Sequence, residues 1–160
     1  MSYETPVENS NETSRETYLE TIDELNTFTD DNVDLFSFNG ETHLAKVVKC
    51  YDGDTIHCIF KHNQRYSKFH IRMYGYDSPE IKPSTLIDEK TRSEIKDAAI
   101  KAKQKLEELI LFKIVILECL NFDKYGRLLA NVKLTKNDKK TINQIMIECG
   151  FGKEYYGGTK

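Results

Sequence analysis

The sequence has no run of eighteen apolar residues, so it offers no helix able to span a membrane. Its N-terminus lacks the basic stretch and apolar core of a secretory leader, and Met stands at position 1. Those features point to an intracellular, cytoplasmic setting. No C-x-x-C pair occurs, and no Cys/His spacing suits zinc. The four cysteines (Cys50, Cys58, Cys119 and Cys149) instead fall singly inside apolar segments, where small buried thiols of a reducing compartment are expected. Tryptophan is absent and no internal repeat is found, which leaves a single domain as the default for 160 residues.

Basic residues are nearly missing from one part of the chain. Residues 1–43 hold eleven Asp or Glu and only Arg15, whereas residues 44–160 hold 22 Lys or Arg against 15 Asp or Glu. The formal net charge of −3 therefore conceals a strongly acidic leading segment and a basic body. A basic body suits a phosphate-rich partner.

Residues 1–14 are polar and acidic, contain Pro6 and show no apolar period, so they read as disordered. Tyr18, Leu19, Ile22, Leu25 and Phe28 then recur at helical spacing and form one apolar stripe. Residues 1–42 are accordingly an acidic extension and 43–160 the ordered domain. Two strand-like runs, 44–51 and 55–61, flank Asp52-Gly53, a type I′ hairpin signal. After a turn at His62-Asn63-Gln64 comes a third run, 65–76. Residues 81–92 contain Pro83 and no clean period, and read as a mobile loop. Ala98, Ala99, Ala102, Leu106, Leu109 and Ile110 mark one face of a helix over 93–111, with lysines dominating the other. Runs 113–122 and 128–135 are two further strands. A short helix over 141–149 carries Thr141 and Gln144 in capping-box spacing and Gly150 as its stop. The order β-β-β-α-β-β-α predicts an α+β fold that is mainly β. Its core is a five-stranded Greek-key barrel of the OB type with two to three packed helices, and such barrels commonly bind oligonucleotides.

Three clusters carry candidate chemistry. Asp52-Gly53-Asp54-Thr55 is, taken alone, a hairpin turn, yet it places Asp54 where a strand begins. The segment from Arg72 to Asp77-Ser78-Pro79-Glu80 is, alone, a strand exit, yet it gathers an arginine and two carboxylates at the end of an apolar, aromatic strand. Burying part of that group without a partner ion would cost several kcal/mol. Asp123-Lys124-Tyr125-Gly126-Arg127 is, alone, a turn with solvated charges.

In order, spacing and intervening helix, the three clusters together resemble the signature of the staphylococcal nuclease (thermonuclease) family: D-G-D-T, then R-x-x-x-x-D-[TS]-P-E, then D-K-Y-G-R. The resemblance covers residues 44–158. It implies that Asp54 and Asp77 bind Ca2+ with the backbone carbonyl of Ser78, a position where the family usually has Thr. It further implies that Glu80 is the general base or water-orienting group and that Arg72 and Arg127 are the two catalytic arginines. Tyr125 matches the aromatic of the third motif. Tyr156, together with Tyr155, falls near the nucleotide-packing tyrosine, and Lys124 adds electrostatic attraction. The implied activity is calcium-dependent, sugar-nonspecific endonucleolytic hydrolysis of DNA and RNA, single strands favoured, with departure of the 5′-oxygen to leave 3′-phosphate ends. The long C-terminal helix of the secreted prototype is not expected here.

These residue types suit that chemistry. Two carboxylates, a carbonyl and waters make an all-oxygen site of flexible geometry, which favours calcium over magnesium. Asp52 is a spare carboxylate placed to hold a metal-bound water. A guanidinium fork keeps its charge and donates two parallel hydrogen bonds to phosphate, which Lys cannot. Tyrosines stack on any base, so little sequence preference is expected. Two other readings stay open: a noncatalytic module of the same barrel that binds nucleic acid or protein, and an interaction protein acting through the acidic segment. That segment would cover the barrel, remain a flexible arm, inhibit the basic cleft through residues 16–34, or dock a protein partner or membrane surface through Leu19, Ile22, Leu25 and Phe28.

Overall fold

In a computed structural model, which describes residues 10–157, the alternating apolar runs of the body close into a barrel. The chain divides between Phe36 and Ser37 into two compact units. The first contains α1 (Ser10–Leu25), followed by a tight turn in which Asn32 Oδ1 accepts from Thr29 N at 2.8 Å and Asn32 Nδ2 donates to Thr27 O at 3.0 Å. Of the segment expected to be disordered, residues 1–9 lie outside the described residues, whereas 10–14 begin α1. Its stripe of Tyr18, Leu19, Ile22, Leu25 and Phe28 is exposed throughout.

The second unit runs β1 (Thr42–Cys50), β2 (Thr55–His62), β3 (Arg65–Met73), β4 (Gly75–Asp77), α2 (Glu89–Ile110), β5 (Ile114–Phe122), β6 (Leu128–Lys133), α3 (Ile142–Glu148) and β7 (Lys153–Tyr155). The barrel closes in the order β1-β2-β3-β6-β5 and back to β1, all pairs antiparallel except β3 with β6. This is the expected five-stranded OB barrel of an α+β fold, and closure leaves it without an open edge. The core follows the period-two alternation of the strands: Ala45, Val47, Ile56, Cys58, Phe60 and Ile71 all point inward. Phe38 is also fully buried there, so the packed unit takes in residues that the sequence pattern left in the extension.

Several expectations hold in detail and others shift. Thr141 caps α3 in a complete capping box with Gln144, and Gly150 ends it at φ +79°. The loop expected over 81–92 is shorter than predicted, because Asp88 accepts from Thr91 N and starts α2 at Glu89. Ala98 turns outward, and the buried stripe is Ala99, Ala102, Leu106 and Ile110. The run over 65–76 breaks at Tyr74, and its end, β4, forms a separate two-stranded sheet with β7, a strand the sequence did not announce. The type I′ geometry expected at Asp52-Gly53 falls instead at the second hairpin. Asn63 and Gln64 both have positive φ, as a type I′ turn requires, whereas Gly53 does not. The β1–β2 connection is closed instead by the Asp52 carboxylate, whose Oδ1 accepts from Asp54 N at 3.0 Å and Thr55 N at 2.7 Å.

Asn143 of α3 is buried with its hydrogen bonds made. Its Oδ1 accepts from Val132 N, and its Nδ2 donates to Tyr74 O and Ala130 O. This side chain ties α3 to β6 and to the break between β3 and β4, where the candidate site begins. Among the described residues, no helix is long and apolar enough to cross a membrane.

Candidate active-site cleft

Barrel register brings the three sequence clusters together. Arg72 on β3 pairs with Thr55 of β2 on one side and Leu129 of β6 on the other. The first cluster opens β2 and the third immediately precedes β6, so both flank Arg72, while the second cluster continues directly from β3 through β4.

The side chains then form one network. Arg72 donates through Nη1 to Met73 O at 2.8 Å and through Nη2 to Asp77 Oδ1, and Nη2 also lies 3.5 Å from Asp54 Oδ2. Asp54 is buried; its Oδ2 accepts from Ser78 N at 2.8 Å and Ser78 Oγ at 2.9 Å, and its Oδ1 accepts from Thr55 Oγ1 at 3.0 Å. Arg127 reaches the same cluster from the third motif, with Nη1 3.4 Å from Thr55 Oγ1. Thr55 thus bridges the first and third clusters, and Ser78 joins the first to the second.

Arg127 is held by its own turn. Asp123 Oδ1 accepts from Tyr125 N and Arg127 N, Asp123 Oδ2 accepts from Arg127 Nε at 2.7 Å, and Gly126 supplies φ +78°. Burial alone would raise the Asp123 carboxyl, but those donors and the nearby guanidinium outweigh it and hold the group below its ordinary value. Tyr125 lies 5.5 Å from the Arg127 guanidinium and 5.1 Å from Lys124 Nζ, a cation–π arrangement at the cleft rim.

Asp54, Asp77, Ser78, Glu80, Arg72 and Arg127 all line one cleft, and Lys124, Tyr125 and Tyr155 border it. Tyr156 lies outside this cleft, in an adjoining pocket that shares Arg72, Arg127, Tyr125 and Tyr155. There its ring stands edge-on to Tyr74 at 5.6 Å, next to Gly75, where an added Cβ would come within 3.2 Å of it. The pairing of β7 with β4, Tyr155 opposite Gly75, brings both tyrosines to this end of the barrel. Sequence reasoning missed Thr55 and Asp123 as positioning residues and Tyr74 as a pocket wall. The first two stood inside quoted motifs, while Tyr74 carried no signal of its own.

Whether the residues fit a calcium ion can be judged from their donors. One oxygen each of Asp54 and Asp77 approaches the same cationic nitrogen of Arg72, and every candidate donor is oxygen, the donor type that calcium prefers. Among the described residues, no three His, Cys, Asp or Glu side chains gather as a metal cluster, so further oxygens would have to complete a shell. Ser78 donates from both its amide and its hydroxyl to Asp54. Asp52 spends Oδ1 on its own turn, and burial, followed by the charge of Asp54, pushes its carboxyl above the ordinary range.

A closed OB barrel with acids and guanidinium groups converging in one cleft defines a nuclease-like class of protein. A family model described as "Staphylococcal nuclease homologue" matches residues 70–159, more than half of the chain, and the protein belongs to that family. The matched segment contains the second and third clusters; Asp54 and Thr55 precede it and are tied to it by the hydrogen bonds above. No curated protein matches the chain.

Proposed function

We propose that this protein is a calcium-dependent, sugar-nonspecific endonuclease that hydrolyses phosphodiester bonds of DNA and RNA. The observation that carries the reading is the single network from Asp123 through Arg127, Thr55 and Asp54 to Ser78, Arg72 and Asp77, with Glu80 on the same cleft. Asp54 and Asp77, with the Ser78 carbonyl, are the residues to hold Ca2+. When bound, the ion neutralises charge on the phosphate.

The remaining work belongs to the chain. Arg72 and Arg127 both line the cleft and would clamp the phosphate oxygens as charge builds on them. Arg127 arrives oriented by Asp123. Arg72 is now spent on Asp77 and Asp54, and a cation bound between those acids would release its fork for the substrate. Glu80 is exposed at the cleft and accepts a proton from water or holds that water in line. Tyr125, Tyr155 and Tyr156 offer ring faces to bases without reading their edges, which supports sequence tolerance and a preference for single strands. Departure of the 5′-oxygen would leave 3′-phosphate ends. The free cysteines agree with an intracellular, cytoplasmic setting.

Incubating labelled single-stranded DNA and RNA with the protein in calcium, in EDTA, and with Glu80→Gln tests the reading. Calcium-dependent cutting that the variant loses supports it. Tight binding without cutting in any condition would replace it with a noncatalytic binding module.

A further inference from the structure

A second groove adjoins the cleft and is lined by none of Tyr125, Tyr155 and Tyr156. It shares Asp52 and Glu80 with the cleft and is otherwise lined by Lys49, Tyr51, Ile81, Lys82 and Lys103. No function assigned so far uses it. Asp52 turns one oxygen into its own hairpin and Lys103 lies 3.8 Å from Glu107, so Lys49 and Lys82, both exposed, set the character of its outer rim.

From Tyr51 a row of rings continues across strands β2 and β3. Tyr51 is 55% exposed, which leaves ring area for a base, and it lies nearly parallel to His57 (15°, centroids 6.3 Å apart). His57 in turn stacks on His70, its partner across the strands, at 4.0 Å and 12°. Lys49 Nζ sits 5.9 Å from the Tyr51 ring centroid, and Lys49 pairs with His57 in register. An exposed aromatic ring with one lysine beside it and a second exposed lysine in the same groove, which shares two residues with the proposed phosphate-binding cleft, is a pattern that suits single-stranded nucleic acid: cations on phosphates and a ring on a base.

We propose that this groove is a second strand-binding site, which holds the polynucleotide on the far side of the scissile phosphate, with Tyr51 stacking on a base and Lys49 and Lys82 on flanking phosphates. The proposal rests on the nuclease reading for its geometry but makes a separate binding claim. The tyrosine pocket grips one side of the break and the lysine groove the other, so substrates long enough to fill both gain affinity that a dinucleotide cannot.

The test compares the full-length protein with Tyr51→Ala and with Lys49→Ala/Lys82→Ala, using a dinucleotide and a single-stranded DNA of about twelve nucleotides. Binding of the longer strand is followed by fluorescence anisotropy in EDTA over a range of salt, and cleavage of both substrates in calcium. Expected are an approximately tenfold loss of affinity for the longer strand in each variant and a decrease of about 1.4 in the log–log salt slope for the double lysine variant. Dinucleotide kcat and KM should be unchanged, and Lys49→Arg/Lys82→Arg should bind like the wild type. Unchanged long-strand affinity and salt slope would overturn the groove, as would an equal loss on the dinucleotide. If the wild type binds the long strand without cutting while the variants bind weakly, the groove stands and the nuclease reading falls. If it cuts and the variants cut equally well at every length, only the groove falls.

Discussion

Replacing Gly53 by Ala would add one methyl group at the most crowded point of the site. A Cβ built there lies 2.7 Å from Ser78 Cβ, 2.8 Å from Ala102 Cβ and 2.9 Å from Ser78 Oγ. Carbon atoms in contact rest about 3.5–4.0 Å apart, so each carbon neighbour would have to retreat by roughly 1 Å. The turn cannot easily yield. Its backbone is held by the amides of Asp54 and Thr55, which donate hydrogen bonds to Asp52 Oδ1, by Tyr51 N donating to Thr55 O at 2.8 Å, and by the Tyr76 hydroxyl donating to Gly53 O at 2.8 Å. Ala102 is fully buried on α2. The segment carrying Ser78 is the part left to move, and moving it breaks the two bonds that Ser78 makes to Asp54. Overpacking of this kind costs about 1–3 kcal/mol, and the constraints place Gly53→Ala near the upper end. For a chain of this size that is a fall in Tm of roughly 2–4 °C per kcal/mol. Urea unfolding followed by circular dichroism measures the loss directly, and calcium-dependent cleavage should fall with it. Because two of the three close contacts belong to Ser78, Gly53→Ala/Ser78→Gly should recover part of the stability but not the activity. Gly53→Ala within about 0.5 kcal/mol of the wild type would refute the close-approach argument.

Three further outcomes are expected. Arg127→Lys keeps the charge but loses the Nε bond to Asp123 and the fork beside Thr55; kcat should drop about 10²–10³-fold with the fold intact, and near-normal turnover would remove Arg127 from the catalytic role. The depressed Asp123 carboxyl stabilises the folded state above its unfolded value, near 3.8, and that contribution fades as pH falls through the lower folded value. The stability gap between wild type and Asp123→Asn should therefore be full at pH 6 and shrink below about pH 4; a gap that is constant with pH would contradict the arrangement. Burial pushes the Cys50 thiol up to about 12 and Cys119 up to about 11, and raises Cys58 well beyond the ordinary range, whereas Cys149 is exposed. A thiol reagent near pH 8 should modify Cys149 alone in the native protein and all four cysteines in urea.

What the linear sequence determined is local. The turn at His62-Asn63-Gln64, the capping box of Thr141 and Gln144, the stop at Gly150 and the alternation of the strands each depend on neighbours a few residues away, and each was legible for that reason. The three motifs were legible as patterns too, since their internal spacing lies within one element and its exit. What they form together was decided only by closure of the barrel. The parallel pairing of β3 with β6 sets Arg72 between Thr55 and Leu129 across long stretches of chain, and no local period encodes that register. The same closure made Thr55 the bridge to Arg127. It also turned Gly53 from a residue needed for its backbone freedom into one needed for its missing side chain, and drew β7 to β4 so that Tyr155 borders the cleft and Tyr156 the pocket beside it. Hydrogen bonding across a closed sheet couples residues by pairing rather than by sequence distance, so the motifs and their chemistry can be read from the chain while their meeting point requires the folded barrel.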